Sequence, residues 1–142
     1  MPYCTLADIL KRIPEEAVIQ LTDDAGAGVV GQSNVDSAIS RADKEIDAWC
    51  GDRYLVPFTS PAPPIVGELA IDMAIYFLYG RTVDEIPKSR ADAYKNAVRL
   101  LEKISDGTIS LGVEPVPAAG AVGRPVTRVP KRLFSDETLE GF

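Results

Sequence analysis

Ser33-Asn34-Val35-Asp36-Ser37-Ala38-Ile39-Ser40-Arg41-Ala42-Asp43-Lys44-Glu45-Ile46-Asp47-Ala48-Trp49 is the stretch on which the fold class turns. Val35, Ile39, Ala42, Ile46 and Trp49 recur at steps of four, three, four and three, which stacks them on one face of an α-helix. Ser33 and Asp36 have the spacing of a capping box, which puts the helix start there, and Gly51 marks the end. Arg41, Asp43, Lys44 and Glu45 fall on the other face, a mixed-sign stripe expected to meet solvent. Cys50 follows Trp49 on the apolar stripe. It is expected to pack in the core, because a thiol without a neighbouring histidine has no base to make it a nucleophile.

The helical punctuation repeats on both sides of this segment. Thr5-Leu6-Ala7-Asp8 is a capping box opening a short helix over 6–13, which Pro14 interrupts. Glu15 and Glu16 then sit at the positive end of a second short helix reaching Leu21. The run Thr22 to Gln32 is a loop by its Gly and Asp content. Its GAGVVG letters lack both a preceding strand and a following Gly-Lys-Ser/Thr, so it reads as a flexible connector and not as a phosphate loop. Arg53-Tyr54-Leu55-Val56-Pro57-Phe58 and a proline-rich crossover, Thr59 to Pro64, follow the long helix. Ile65 to Tyr79 is apolar nearly all round, the pattern of a helix at the centre of a bundle, with Gly80 as its left-handed cap. Glu68 and Asp72 lie four apart on it. With no basic partner in the sequence pattern, they are expected to mark the face that meets water or a neighbouring subunit. Ser89-Arg90-Ala91-Asp92, or Pro87 just before it, starts a further helix with Tyr94, Val98, Leu101 and Ile104 inward, ending at Gly107. Thr108 to Gly112 alternates polar and apolar residues as a short extended piece. The reading is all-α: a bundle of about four to five helices over residues 1–112.

Residues 113–142 have a different chemistry. Four prolines and three glycines fall here, and the stretch Pro115 to Pro125 has too little apolar surface to order itself in an isolated monomer. Arg124, Arg128, Lys131 and Arg132 balance Glu114, Asp136, Glu137 and Glu140, so this arm is neutral and the body carries the whole net charge of −6. Leu133, Phe134, Leu139 and Phe142 continue an apolar series begun by Val126 and Val129. Either the segment is a linker with a loose end, or it is an arm that orders on a protein partner with its cations against acids there.

Composition narrows the function. The chain of 142 residues is 46% hydrophobic and 25% charged, one soluble globular domain's worth with no apolar run long enough to span a membrane. An excess of acid over base disfavours duplex binding. The absence of histidine removes the usual proton shuttle and the commonest metal ligand, so no enzyme, cofactor or metal site is expected. Cys4 and Cys50 have no coordinating spacing, and the amino terminus has no basic-then-apolar leader pattern, which suggests assembly in a reducing cytoplasm.

Glu45-Ile46-Asp47-Ala48-Trp49-Cys50-Gly51-Asp52-Arg53-Tyr54-Leu55-Val56-Pro57-Phe58 resembles the "E-I-D-x-aromatic … R-Y-x-x-P-(L/F)" signature of a small protein family encoded in the head region of Mu-like phages and prophages. Tyr3 to Asp8, Ile19 to Asp23, Ala74 to Gly80 and Gly107 to Gly112 are similar to further family segments in the same order, so the resemblance spans about residues 3–112, with the arm outside it. Asp47, Arg53, Tyr54 and Pro57 carry the motif. Asp52 departs from it by separating Gly51 from Arg53.

The resemblance implies a helical head-tail adaptor, also called a connector or head-completion protein. About a dozen copies, a dodecamer, would form a ring between the portal and the neck or tail-terminator proteins of the virion, assembled in the host bacterial cytoplasm. Genome DNA would pass through the channel without specific binding, which an acidic body repeated round a ring favours. The arm residues Arg124, Arg128, Lys131, Arg132, Leu133, Phe134, Leu139 and Phe142 would dock on a neighbouring protein. For Arg53 and Tyr54 two roles stand: capping of helix-end carbonyls with core packing, or an intersubunit contact. A reading from a different class is a small helical nucleic-acid-binding packaging or regulatory protein that uses the same four cations.

Overall fold

The computed structural model describes residues 2–82 and 85–115. Five helices follow one another: α1 (Leu6–Leu10), α2 (Glu15–Thr22), α3 (Gln32–Cys50), α4 (Pro64–Thr82) and α5 (Lys88–Ser105). No strand occurs among the described residues, so the chain is an all-α bundle. Thr108 to Gly112 is a series of bends and not an extended strand. It is held by the Ile109 N–H on the Lys103 carbonyl (3.2 Å) and the Leu111 N–H on the Tyr54 hydroxyl (3.2 Å).

α4 is the hub. Its side chains are apolar nearly all round, interrupted by Glu68, Asp72 and Arg81, and it packs against each of the other four helices, while α3 and α5 also meet one another. Val66, Met73, Ile75 and Leu78 of α4 close on Val35 and Ile46 of α3, Leu101 and Ile104 of α5, and Ile9 and Val18 of the short helices, all fully buried. Each such side chain contributes roughly 1.5–3 kcal/mol, against about 0–1 for an exposed ion pair. Apolar burial on α4 therefore outweighs the surface bridges in holding the bundle.

The helix ends differ from expectation in instructive ways. The Thr5–Asp8 capping box forms as the spacing predicts, each residue's side chain meeting the other's backbone N–H. The Ser33–Asp36 box does not form. α3 starts earlier, capped by Gly31, because Gly31 is drawn against the end of α2: its N–H donates to Thr22 Oγ1 (2.9 Å), and a Cβ there would lie 2.2 Å from the Thr22 carbonyl oxygen. The Ser89–Asp92 box is also absent, since Pro87 is the N-cap of α5 and Asp92 instead pairs with Lys88 one turn away. Gly80 is not a left-handed cap. α4 runs through it to Thr82, and Arg81 reaches back to the Leu21 carbonyl (2.6 Å) and to Asp24 (2.8 Å). In α5 the inward stripe is Tyr94, Ala97, Leu101 and Ile104, with Ala97 in place of Val98.

The 23–31 segment is a built loop, in contrast to the flexible connector its composition suggests. Asp23 accepts the N–H groups of Ala27 and Gly28, which holds its carboxyl below the ordinary carboxylate range. Asn34 ties the Thr22 carbonyl to Asp24. The charged stripe of α3 is likewise only partly solvated. Arg41 lies over the Phe77 ring at 4.1 Å, and Glu45 accepts the Tyr94 hydroxyl (2.9 Å) beside a stacked Tyr76–Tyr94 pair.

Candidate interaction surface

The motif residues converge where the amino-terminal segment, the end of α3 and the 51–63 crossover meet. Tyr3 is the pivot. Its N–H points at both Asp43 oxygens (3.3 and 3.4 Å), and its hydroxyl donates to Asp47 (2.5 Å) while accepting the Phe58 N–H (2.9 Å). Asp43 and Asp47 are four apart, on adjacent turns of α3, so the helix presents both to one ring. Burial and the bond to Asp47 raise the Tyr3 hydroxyl's pKa far above its usual value, so it stays a donor. Burial pushes the Asp43 carboxyl up to about 6, outweighing the Tyr3 N–H that favours the anion. The motif aspartate thus fastens the start of the chain to the crossover.

Tyr54 is 2% exposed, its ring 6.0 Å from that of Phe58 and its hydroxyl accepting the Leu111 N–H. This is the core-packing role. The helix-end role is met through the backbone: the Arg53 and Tyr54 N–H groups both donate to the Cys50 carbonyl at the end of α3 (3.0 and 2.9 Å), while the Arg53 side chain crosses to the end of α5. There Gly107 is left-handed (φ +91°), and a Cβ on it would lie 2.9 Å from Arg53 Nη1, so glycine serves both the turn and the close approach. The guanidinium sits at the negative end of α5, where a cation is favoured. It also helps hold Asp106 below the carboxylate range, after the hydrogen bonds from Thr108. Arg53 Nε has no hydrogen-bond partner among the described residues.

Pro57 is exposed and stands between two concavities. On one side is a groove of about 490 Å³ lined by Leu6, Ile39 and Pro57 with Asp36, Asp43 and Asp47. On the other is an apolar crevice of about 150 Å³ formed by Tyr54, Leu55, Pro57, Pro61, Val113 and their neighbours. Leu55 is 73% exposed and Val113 42%, two of the few large apolar side chains left uncovered. The surface is suited to packing and hydrogen bonding.

Outside this surface, Glu68 and Asp72 do have a basic partner, contrary to expectation. Arg12 bridges both, pinning the end of the first helical segment to α4, with 2.6 Å to Asp72. Sequence spacing could not show this, because Arg12 is 60 residues from Asp72. Cys4 and Cys50 are buried in the core as expected, and burial pushes their thiols up to about 12 and about 11. No helix among the described residues is long and apolar enough to cross a membrane. Arg124, Arg128, Lys131, Arg132, Leu133, Phe134, Leu139 and Phe142 lie outside the described residues. Tyr3 is the residue that sequence reasoning passed over. It stood in the chain's opening motif, but its bonds to Asp43 and Asp47 span 40 residues or more.

The sequence model of the family described as Bacteriophage Mu, Gp36, matches residues 3–128, nearly the whole chain. The chain belongs to this family. The Gp36 match covers Tyr3, the Arg53–Phe58 turn and every residue lining the two concavities except Pro2, and it runs past residue 112 to include Arg124 and Arg128 of the arm, beyond where the motifs alone end. Among relatives, the chain is similar to the Mu-like prophage FluMu protein gp36 of Haemophilus influenzae, with 30% identity over 112 residues that cover 78% of this chain and 76% of that protein. A Gp36-family protein is a phage protein.

Proposed function

We propose that this Gp36-family protein is a head-tail adaptor, a structural virion protein whose copies form a ring between the portal and the neck or tail-terminator proteins of a tailed phage. The observation that carries the reading is the division of charge in a phage-family chain. A helical body bears the net −6, while the segment beyond Pro115 gathers Arg124, Arg128, Lys131 and Arg132 with no acid before Asp136. Repeated round a ring, an acidic body lets DNA slide without sticking. Arms of modest individual affinity gain avidity from repetition. The exposed Leu55, Pro57 and Val113 supply apolar area at the base of each arm, where a neighbour would pack. No catalytic chemistry or cofactor enters this proposal.

Light scattering on the purified full chain, alone and mixed with portal assemblies at physiological salt, tests it. A monomer or small oligomer that becomes a ring only on the portal is the expected result; a stable dimer that ignores the portal would refute it. Deleting 113–142 is expected to leave the helical signal and abolish attachment. The second reading, nucleic-acid binding through the four arm cations, requires a salt-dependent DNA affinity that is lost when Arg124, Arg128, Lys131 and Arg132 become alanine.

A further inference from the structure

We propose that in the free protein the basic stretch Arg124–Phe134 lies in the groove between the amino-terminal segment and α3 of its own chain. Three observations converge on this occupant. The first is continuity. Val113 and Glu114, at the end of the described chain, line the apolar crevice, and Pro57 is a wall of both crevice and groove, so the chain leaves the body beside the groove's mouth. Arg124 follows nine residues after Pro115, a stretch of at most about 30 Å when extended, rich in small residues that can follow a surface.

The second is charge. Asp36, Asp43 and Asp47 line the groove together with no Lys or Arg, and none of the three takes part in an ion pair among the described residues. Asp36 meets the Gln32 amide, and the other two meet only Tyr3. The arm offers four cations in nine positions, Arg124 to Arg132, without an acid among them.

The third is apolar fit. Leu6, Ile39 and Pro57 face the groove, and Val126, Val129, Leu133 and Phe134 alternate with the arm's cations. A tethered segment meets its own groove at an effective concentration of millimolar order, so a second copy competes poorly in dilute solution. Exposed pairs are individually weak and screened by salt. The arm is therefore held loosely enough for a partner to take it. This inference does not depend on the adaptor reading.

Engineered disulfide formation in the full-length protein tests the placement. Ser40→Cys, exposed on the groove wall, is combined with Val129→Cys and oxidised with glutathione disulfide at low protein concentration; the buried Cys4 and Cys50 do not compete. The control pairs Val129→Cys with Glu102→Cys, exposed on α5 away from the groove. An intrachain disulfide is expected to form roughly tenfold faster with Ser40→Cys than with the control, a gain of the size that directed tethering gives. Arg128→Glu with Arg132→Glu is expected to remove most of that advantage. Gln32→Cys provides a second groove position, read in the same way. Equal rates at groove and control positions, indifference to charge reversal, or a disulfide between two chains would each overturn the assignment.

Discussion

Asp43 shows how one side chain ties the bundle's stability to pH. Its folded pKa of about 6 lies above the ordinary 3.8, so between those values the folded chain holds a proton that the unfolded chain has released. That contribution is complete below about pH 4 and is lost as pH rises through about 6. Asp8, Asp23, Asp24, Asp92 and Asp106 are shifted the other way and act only below the usual carboxylate range. At high salt, where the arm's exposed pairs with the groove are screened, urea midpoints of the native chain are therefore expected to fall from pH 4.5 to pH 7. Asp43→Asn, whose carbonyl can still accept the Tyr3 N–H, should flatten that slope and be the more stable protein at pH 7. The loop supplies a second residue-scale test. Gly31→Ala would push a Cβ into the Thr22 carbonyl, where backbone and not a yielding side chain is in the way, and is expected to cost about 1–3 kcal/mol in denaturant unfolding. Thr22→Val, which strands the Gly31 N–H and the Val18 carbonyl contact, should cost a similar amount.

At the scale of the element, Gly80 separates two accounts of α4. As a left-handed cap it would resist substitution. As a residue inside a helix, with only Ile86 Cδ1 at 3.8 Å from a new Cβ, it should accept alanine and gain about 0.5–1 kcal/mol. A rise in melting temperature for Gly80→Ala is the expected result. The number and order of the helices, and their inward faces apart from Ala97 in place of Val98 on α5, were legible in the sequence, because periods of three and four and a nearly all-round apolar α4 are local patterns. The start of α3 and the end of α4 were not. Both are set by contacts across the chain: Gly31 against Thr22 at the loop's closure, and Arg81 against Leu21 and Asp24 some 60 residues away. The candidate surface was legible in its letters and not in its chemistry. Asp47, Arg53, Tyr54 and Pro57 could be picked out as a motif, but that Asp47 holds the Tyr3 hydroxyl and that Arg53 serves α5 depend on long-range packing.

At the scale of the whole molecule, one helix touching all the others predicts one transition. Trp49, the single tryptophan, reports on α3; far-ultraviolet circular dichroism reports on the five described helices together. The two unfolding curves are expected to coincide, and the buried thiols of Cys4 and Cys50 should become reactive only along the same transition. Labelling of either thiol well before the fall in helicity would show that a part opens alone. The hub also has a consequence for synthesis. A ribosome releases α1, α2 and α3 before α4 has been made, and α5 comes last. The apolar faces of the first half therefore emerge with nothing to cover them. The growing chain should collapse into its final form only near the close of translation, and a product truncated ahead of Pro64 is expected to be taken up by chaperones or proteases instead of accumulating.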